Sequence, residues 1–316
     1  MKKNIQHFLL LSALAAGCMY GINKFIQMTS NVKNLLTQSD GKQYDWRHGT
    51  IYYTVQGQGT PILLIHDLDP ASSSVEWSYM IKHLSQDHTV YTLDLLGCGR
   101  SAKPALTYTN YMYVQLITDF IHTIINDECD VIVSGDSVSF VLMAANMEHT
   151  IMNRIFLLCP SSLEKFAANP STQTDLMKKI MELPILGTFL YNLAFSSKRI
   201  ETYFVENLYF KNAIVINRMK DIYYESAHSD NSNGRYLAAS ILGNYTNINI
   251  IQALKKIENP IFIISSREDL DASRIADSYS AYNKTIETAY LSNCKKLPQL
   301  EEAEKLYHII LTFLNS

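Results

Sequence analysis

The stretch from Val131 to Leu142 constrains the chain most. Val131-Ile132-Val133 is a β-branched apolar run of the kind that forms strands buried on both faces, and it stops at Ser134-Gly135. From Val138 an apolar, Ala-containing run follows that reads as a helix. A strand that turns directly into a helix holds its corner residue out at the end of a sheet. Such a corner is strained, so the residues two before and two after it must be small. Gly135 and Ser139 meet that demand around Ser137. The same residues allow two other readings. Asp136 can take the corner between Ser134 and Val138, although a β-branched Val suits a crowded position badly, or Ser137 simply caps the helix.

The rest of the chain repeats the strand–helix rhythm. Gln43 to Val55 reads as a hairpin turning at His48-Gly49, and Ile62–Ile65 as a short, fully apolar strand. Helix is expected from Trp77 to Leu84, strand from His88 to Leu93, helix from Tyr111 to Ile125, and strand again over Ile155–Leu158. Strands then cease from Leu163 to Thr246, where helical patterns rich in Tyr, Phe, Leu and Met take over. They return at Pro260–Ser266, with a helix over Asp271–Tyr282, a strand over Thr285–Leu291 and a closing helix over Glu302–Phe313. The expected fold is α/β, a doubly wound and mostly parallel sheet, with core segments 43–162 and 247–316 split by a helical cap at 163–246.

Before the core lies Met1-Lys2-Lys3 and an apolar run from Phe8 to Tyr20 that tails on to Ile26. A basic start ahead of an apolar run is an anchoring pattern, so residues 1–28 are read as a signal anchor and 29–42 as a polar tether. Lys2 and Lys3 would keep the terminus inside and place the globular part outside the cytoplasm. Leu14-Ala15-Ala16-Gly17-Cys18 carries the alternative of a lipoprotein attached through Cys18.

The 316 residues, 47% of them hydrophobic, suffice for a sizeable core, and a net charge of −3 gives no footprint for nucleic acid. The five cysteines have neither metal-type nor redox-type spacing and read as mostly buried thiols. No motif calls for a cofactor or a metal.

In this order the motifs resemble the α/β-hydrolase superfamily, in its single-cap branch of esterases, epoxide hydrolases and haloalkane dehalogenases. Ile65-His66-Asp67 is similar to its strand ending in His-Gly, Asp94-Leu95-Leu96-Gly97-Cys98-Gly99-Arg100-Ser101 to its glycine-punctuated loop, and Ser137 to its nucleophile. Pro260–Asp269 resembles its acid-bearing strand and loop, and Asn293–Glu301 its histidine loop. The resemblance implies Ser137 as nucleophile, Asp269 as the acid, and the backbone N–H groups of Leu68 and Val138 as the oxyanion hole, with His66, Asp67 and Asp136 lining the site.

Two positions depart from the pattern. The histidine falls on Lys296, and an unperturbed lysine titrates near about 10.4, too high for a base at neutral pH. An ion pair with Asp269 would hold its proton more firmly still. The glycine after His66 is Asp67, a carboxylate placed where negative charge would develop. His228 in the cap is a remote replacement base; His122, His149 and His308 sit on helices whose other faces pack. The sequence therefore supports two readings. One is an anchored hydrolase acting weakly on a small ester or acyl substrate. The other is a non-catalytic relative that holds an apolar ligand or a protein partner in the old pocket.

Overall fold

The computed structural model describes residues 2–36, 41–208 and 213–314. Its first element is a helix, α1 (Lys2–Thr29), long and apolar enough over Asn4–Thr29 to cross a membrane. The hairpin follows as β1 (Lys42–Trp46) and β2 (Gly49–Gln56), then β3 (Thr60–Ile65), α2 (Ser78–Leu84), β4 (His88–Leu93), α3 (Asn110–Phe120), β5 (Cys129–Ser134), α4 (Val138–Met147) and β6 (Met152–Leu158). Trp46 pairs with Gly49, so the hairpin turns at Arg47-His48, one residue earlier than its sequence suggests.

Between β6 and the next strand come α5 (Leu163–Phe166), α6 (Thr172–Glu182), α7 (Leu186–Ala194), α8 (Ser197–Tyr203), α9 (Ala213–Ser232, broken at Ser229–Asn231) and α10 (Arg235–Leu242). The chain closes with α11 (Ile251–Leu254), β7 (Ile261–Ser266), α12 (Ala272–Tyr282), β8 (Glu287–Leu291), α13 (Pro298–Glu301) and α14 (Ala303–Leu314).

The strands lie in the order β1-β2-β4-β3-β5-β6-β7-β8, antiparallel at the hairpin edge and parallel from β4 onward. Alternation along each strand divides the core. Leu63, Ile65, Val131, Val133, Leu157 and Ile263 face one layer of helices; Ile62, Leu64, Ile132, Phe156, Leu158 and Ile264 face the other. A third cluster, around Tyr191, Phe204 and Tyr223, packs the helices between β6 and β7 against one another and against Leu36, Ala71, Leu297 and Leu300.

The segment expected to be a loose tether is bound where it is described. Leu35 and Leu36 donate their backbone N–H groups to Glu225 of α9 at 2.8 and 3.1 Å, and Lys33 pairs with Asp221 at 2.6 Å. Leu36 is buried. The part of the tether at 37–40 lies outside the described residues. None of the cysteines is in a disulfide; Cys98, Cys129 and Cys294 are buried and Cys18 is exposed.

Candidate functional site

In a parallel sheet of this kind, side chains meet at the C-terminal strand ends. Here the loops after β3, β5, β6, β7 and β8 enclose a cavity of about 370 Å³. Its lining includes Asp67, Leu68, Asp69, Gly135, Asp136, Lys165, Asp269 and Lys296.

The corner between β5 and α4 is not where the Gly-x-Ser-x-Ser spacing puts it. Gly135 carries the positive φ of the turn, +60°, whereas Ser137 is in the right-handed helical region at φ −63°, ψ −20°. Glycine takes a positive φ at little cost, so the chain turns two residues before Ser137 and needs no strained side chain to do it. Ser137 is consequently fully buried at the helix start, and its Oγ donates to the carbonyl of His66 at 2.6 Å. It does not line the cavity.

The oxyanion donors shift with the corner. The Val138 N–H is spent inside the first turn, on the carbonyl of Asp136. The N–H that follows the corner belongs to Asp136. That group and the N–H of Leu68 converge on a single atom, Asp67 Oδ1, at 2.7 and 2.8 Å. The Asp67 carboxylate thus occupies the spot between two backbone donors where the resemblance would place a substrate oxygen. A Cβ on Gly135 would stand 2.2 Å from the same oxygen, so the empty space above Gly135 is filled by Asp67.

Carboxylates crowd this end of the sheet. Burial, then the neighbouring Asp136, raise the Asp67 carboxyl to about 7; burial raises Asp69 to about 6. Asp136 is held by Lys165 of α5, whose Nζ reaches its two oxygens at 2.7 and 2.6 Å, and by the hydroxyl of Ser161. Beneath them Glu76 is wholly buried, accepts from Tyr223 and is raised by burial to about 8.

Both ring nitrogens of His66 are engaged. Nδ1 pairs with the Asp67 carbonyl at 2.7 Å and so carries the proton, while Nε2 accepts from Leu95 N–H at 3.0 Å. Burial lowers its pKa to about 4, so it is a neutral strut between loops and lies under the cavity rather than in its wall. The glycine-punctuated loop is fixed by Asp94, which accepts from Ser74 N–H at 2.7 Å, Arg100 N–H at 2.8 Å and Arg100 Nε at 2.7 Å. Burial opposes the Asp94 charge, but Arg100 overcomes it and holds the carboxyl well below the usual range.

Asp269 and Lys296 line the cavity, yet among the described residues the ion pair expected between them is not formed. Asp269 turns to its own loop, accepting from Asp271 N–H at 3.0 Å, and Lys296 is exposed. His228 stays in the cap with Nδ1 on the Tyr224 carbonyl at 2.8 Å, beside the rings of Tyr191 and Tyr224. Sequence reasoning took Gly135 for the corner's small neighbour rather than the corner itself, and it missed Lys165. A Gly directly after a β-branched strand marks the positive-φ turn, whereas nothing in the sequence pairs Lys165 with Asp136.

No family model matches the chain. A 2-hydroxy-6-oxo-6-(2'-aminophenyl)hexa-2,4-dienoic acid hydrolase from Metapseudomonas resinovorans is 33% identical over 87 residues, which are 27% of this chain and 30% of that relative's length. Solved structures are similar over far more. A serine hydrolase of carbazole degradation has a TM-score of 0.70 at 16% identity, over 87% of this chain and 98% of its own. A meta-cleavage product hydrolase from Pseudomonas fluorescens has 0.68 at 16%, over 87% and 97%. A bacterial membrane phospholipase A has 0.65 at 18%, over 100% and 98%. The mostly parallel eight-stranded sheet with its flanking helices fits these similarities, and the chain has the α/β-hydrolase fold.

Proposed function

We propose that this is a membrane-anchored protein of the hydrolase fold that binds a small polar molecule in its cleft and does not turn it over. Acyl transfer needs a nucleophile at the corner, a base beside it, and two free N–H donors for the oxyanion. Gly135 brings no side chain to the corner. Lys296 stands at the histidine position, and an ammonium donates protons but accepts none. The observation that carries the reading is Asp67 Oδ1, seated between the N–H groups of Leu68 and Asp136. Losing a nucleophile or base costs on the order of 10⁶ in turnover, and losing one oxyanion donor about 10²–10³.

The ligand follows from the lining. Asp67, Asp69, Asp136, Asp269 and Asp271 face Lys165, Arg274 and Lys296, which favours a polar, hydroxylated or cationic molecule over the apolar one that the sequence suggests. Anchoring is supported by the apolar α1 and by the likeness to the membrane phospholipase A over the whole chain.

The test is fluorophosphonate labelling and short-chain ester turnover by the full chain in lipid nanodiscs. We expect no labelled serine, and turnover by wild type equal to that of Ser137→Ala. A serine labelled in folded protein, or turnover that Ser137→Ala or Asp269→Asn abolishes, would overturn the reading.

A further inference from the structure

Helix α1 is exposed on every side from Asn4 to Ala15. Beyond that point one face turns inward: Ala16, Met19, Asn23, Ile26 and Ser30 recur at helical spacing with reduced exposure, where α1 packs on α7 and α9. At 1.5 Å per residue the free part measures about 18 Å. A bilayer's hydrocarbon core is about 30 Å thick and takes about 20 residues of helix. A span that begins at Asn4 therefore ends near Asn23, well inside the segment that the cap already holds. Stopping short is costly, because Lys2 and Lys3 would then sit within the hydrocarbon.

The height of α7 is fixed by the same residue. Asn23 Nδ2 donates to the carbonyl of Ile185, just before α7, and Asn23 Oδ1 accepts from Asn192 near its end, both at 3.0 Å. α7 thus crosses α1 at the level where the span leaves the bilayer. Its inner face, with Thr188, Tyr191 and Asn192, is buried, while its outer face is apolar and open to solvent, with Leu186 39% and Leu193 51% exposed, and in the turn before it Leu183 is 45% and Ile185 37% exposed. Lys198 and Arg199, exposed in the first turn of α8, follow directly in the chain.

We propose that the Leu183–Leu186 turn and the outer face of α7 lie in the bilayer's headgroup–acyl boundary, as an interfacial amphipathic helix beside the transmembrane one. The occupant is lipid because the patch is continuous with the apolar surface of α1 and lies at the exit height of its span. This rests on the reading of α1 as an anchor, and the test separates the two.

In a Cys18→Ser background, Leu11→Cys and Leu186→Cys are each labelled with an environment-sensitive fluorophore in the full chain, reconstituted in vesicles of neutral and anionic phospholipid. The unsubstituted Cys18→Ser chain supplies the background. Quenchers are lipid-borne nitroxides and aqueous iodide. We expect both labels to be quenched by lipid nitroxide and shielded from iodide, position 186 responding most to a nitroxide near the headgroup. If Leu11→Cys responds and Leu186→Cys is quenched only by iodide, α1 anchors but the patch faces water and the proposal falls. Shielding at 186 from both quenchers, with a doubled mass per particle, means that a second copy covers the patch, which also overturns it. If neither label meets lipid, the anchor reading fails and takes this one with it.

Discussion

Replacing Gly135 by Ala is a direct probe of the plugged site. The new Cβ would lie 2.2 Å from Asp67 Oδ1 and 2.3 Å from its Cγ, more than 1 Å inside ordinary contact. Either the carboxylate swings away and abandons two backbone N–H groups, or the corner shifts. Overpacking of this kind costs about 1–3 kcal/mol, and the Cβ at φ +60° adds about 1–2 kcal/mol whatever surrounds it. Asp67→Gly removes the obstacle together with a half-buried carboxylate whose ionisation its surroundings disfavour. The pair is therefore non-additive: in Asp67→Gly/Gly135→Ala only the backbone cost remains, and the double-mutant cycle should give a favourable coupling of about 1–3 kcal/mol. Urea unfolding of the four full-length chains in one detergent, with equal m-values, measures it. A coupling within experimental error of zero would mean that Asp67 does not stand over Gly135, and the account of the site would fail with it.

Other expectations follow from the same geometry. Glu76, Asp67 and Asp69 have folded pKa values of about 8, 7 and 6, all above those of the unfolded chain. The native state therefore binds more protons than the unfolded one from about pH 4 to pH 8, and the stability these groups contribute is lost as pH rises through that window. Glu76→Gln should flatten the decline between pH 6 and 8 by an amount on the order of a few kcal/mol, read from unfolding midpoints; an unchanged slope would refute it. Asp67→Gly/Gly135→Ser/Lys296→His should react with a fluorophosphonate at position 135 where no chain lacking one of the three changes does so. Equal labelling of Lys296→His alone would place the nucleophile elsewhere.

The sheet was legible because strands buried on both faces are continuous apolar runs rich in β-branched residues, as Ile62–Ile65, Val131–Val133 and Ile261–Ile264 are, and the intervening helices carry their own period. The docked segment at 33–36 was not. It binds α9 through the Lys33 side chain on Asp221 and through backbone N–H groups that every residue but proline possesses on Glu225, partners remote in sequence, so its composition looks like that of a free linker.

The site was legible in its neighbourhood and wrong in its register. A Gly-x-Ser-x-Ser spacing invites the serine to the corner, but a serine there must be held in a backbone conformation that only catalysis justifies. If, as proposed, no nucleophile is needed, glycine adopts the turn without strain, as Gly135 does at φ +60°. That choice opens the space above the corner, which the Asp67 carboxylate fills, and the filled space in turn forbids any side chain at position 135. The two residues lock each other in, and in the proposed reading Lys296 is a third, separate obstacle. A histidine at 296 alone would face a corner with no hydroxyl and donors already satisfied, so each of the three changes taken singly should leave turnover where it stands.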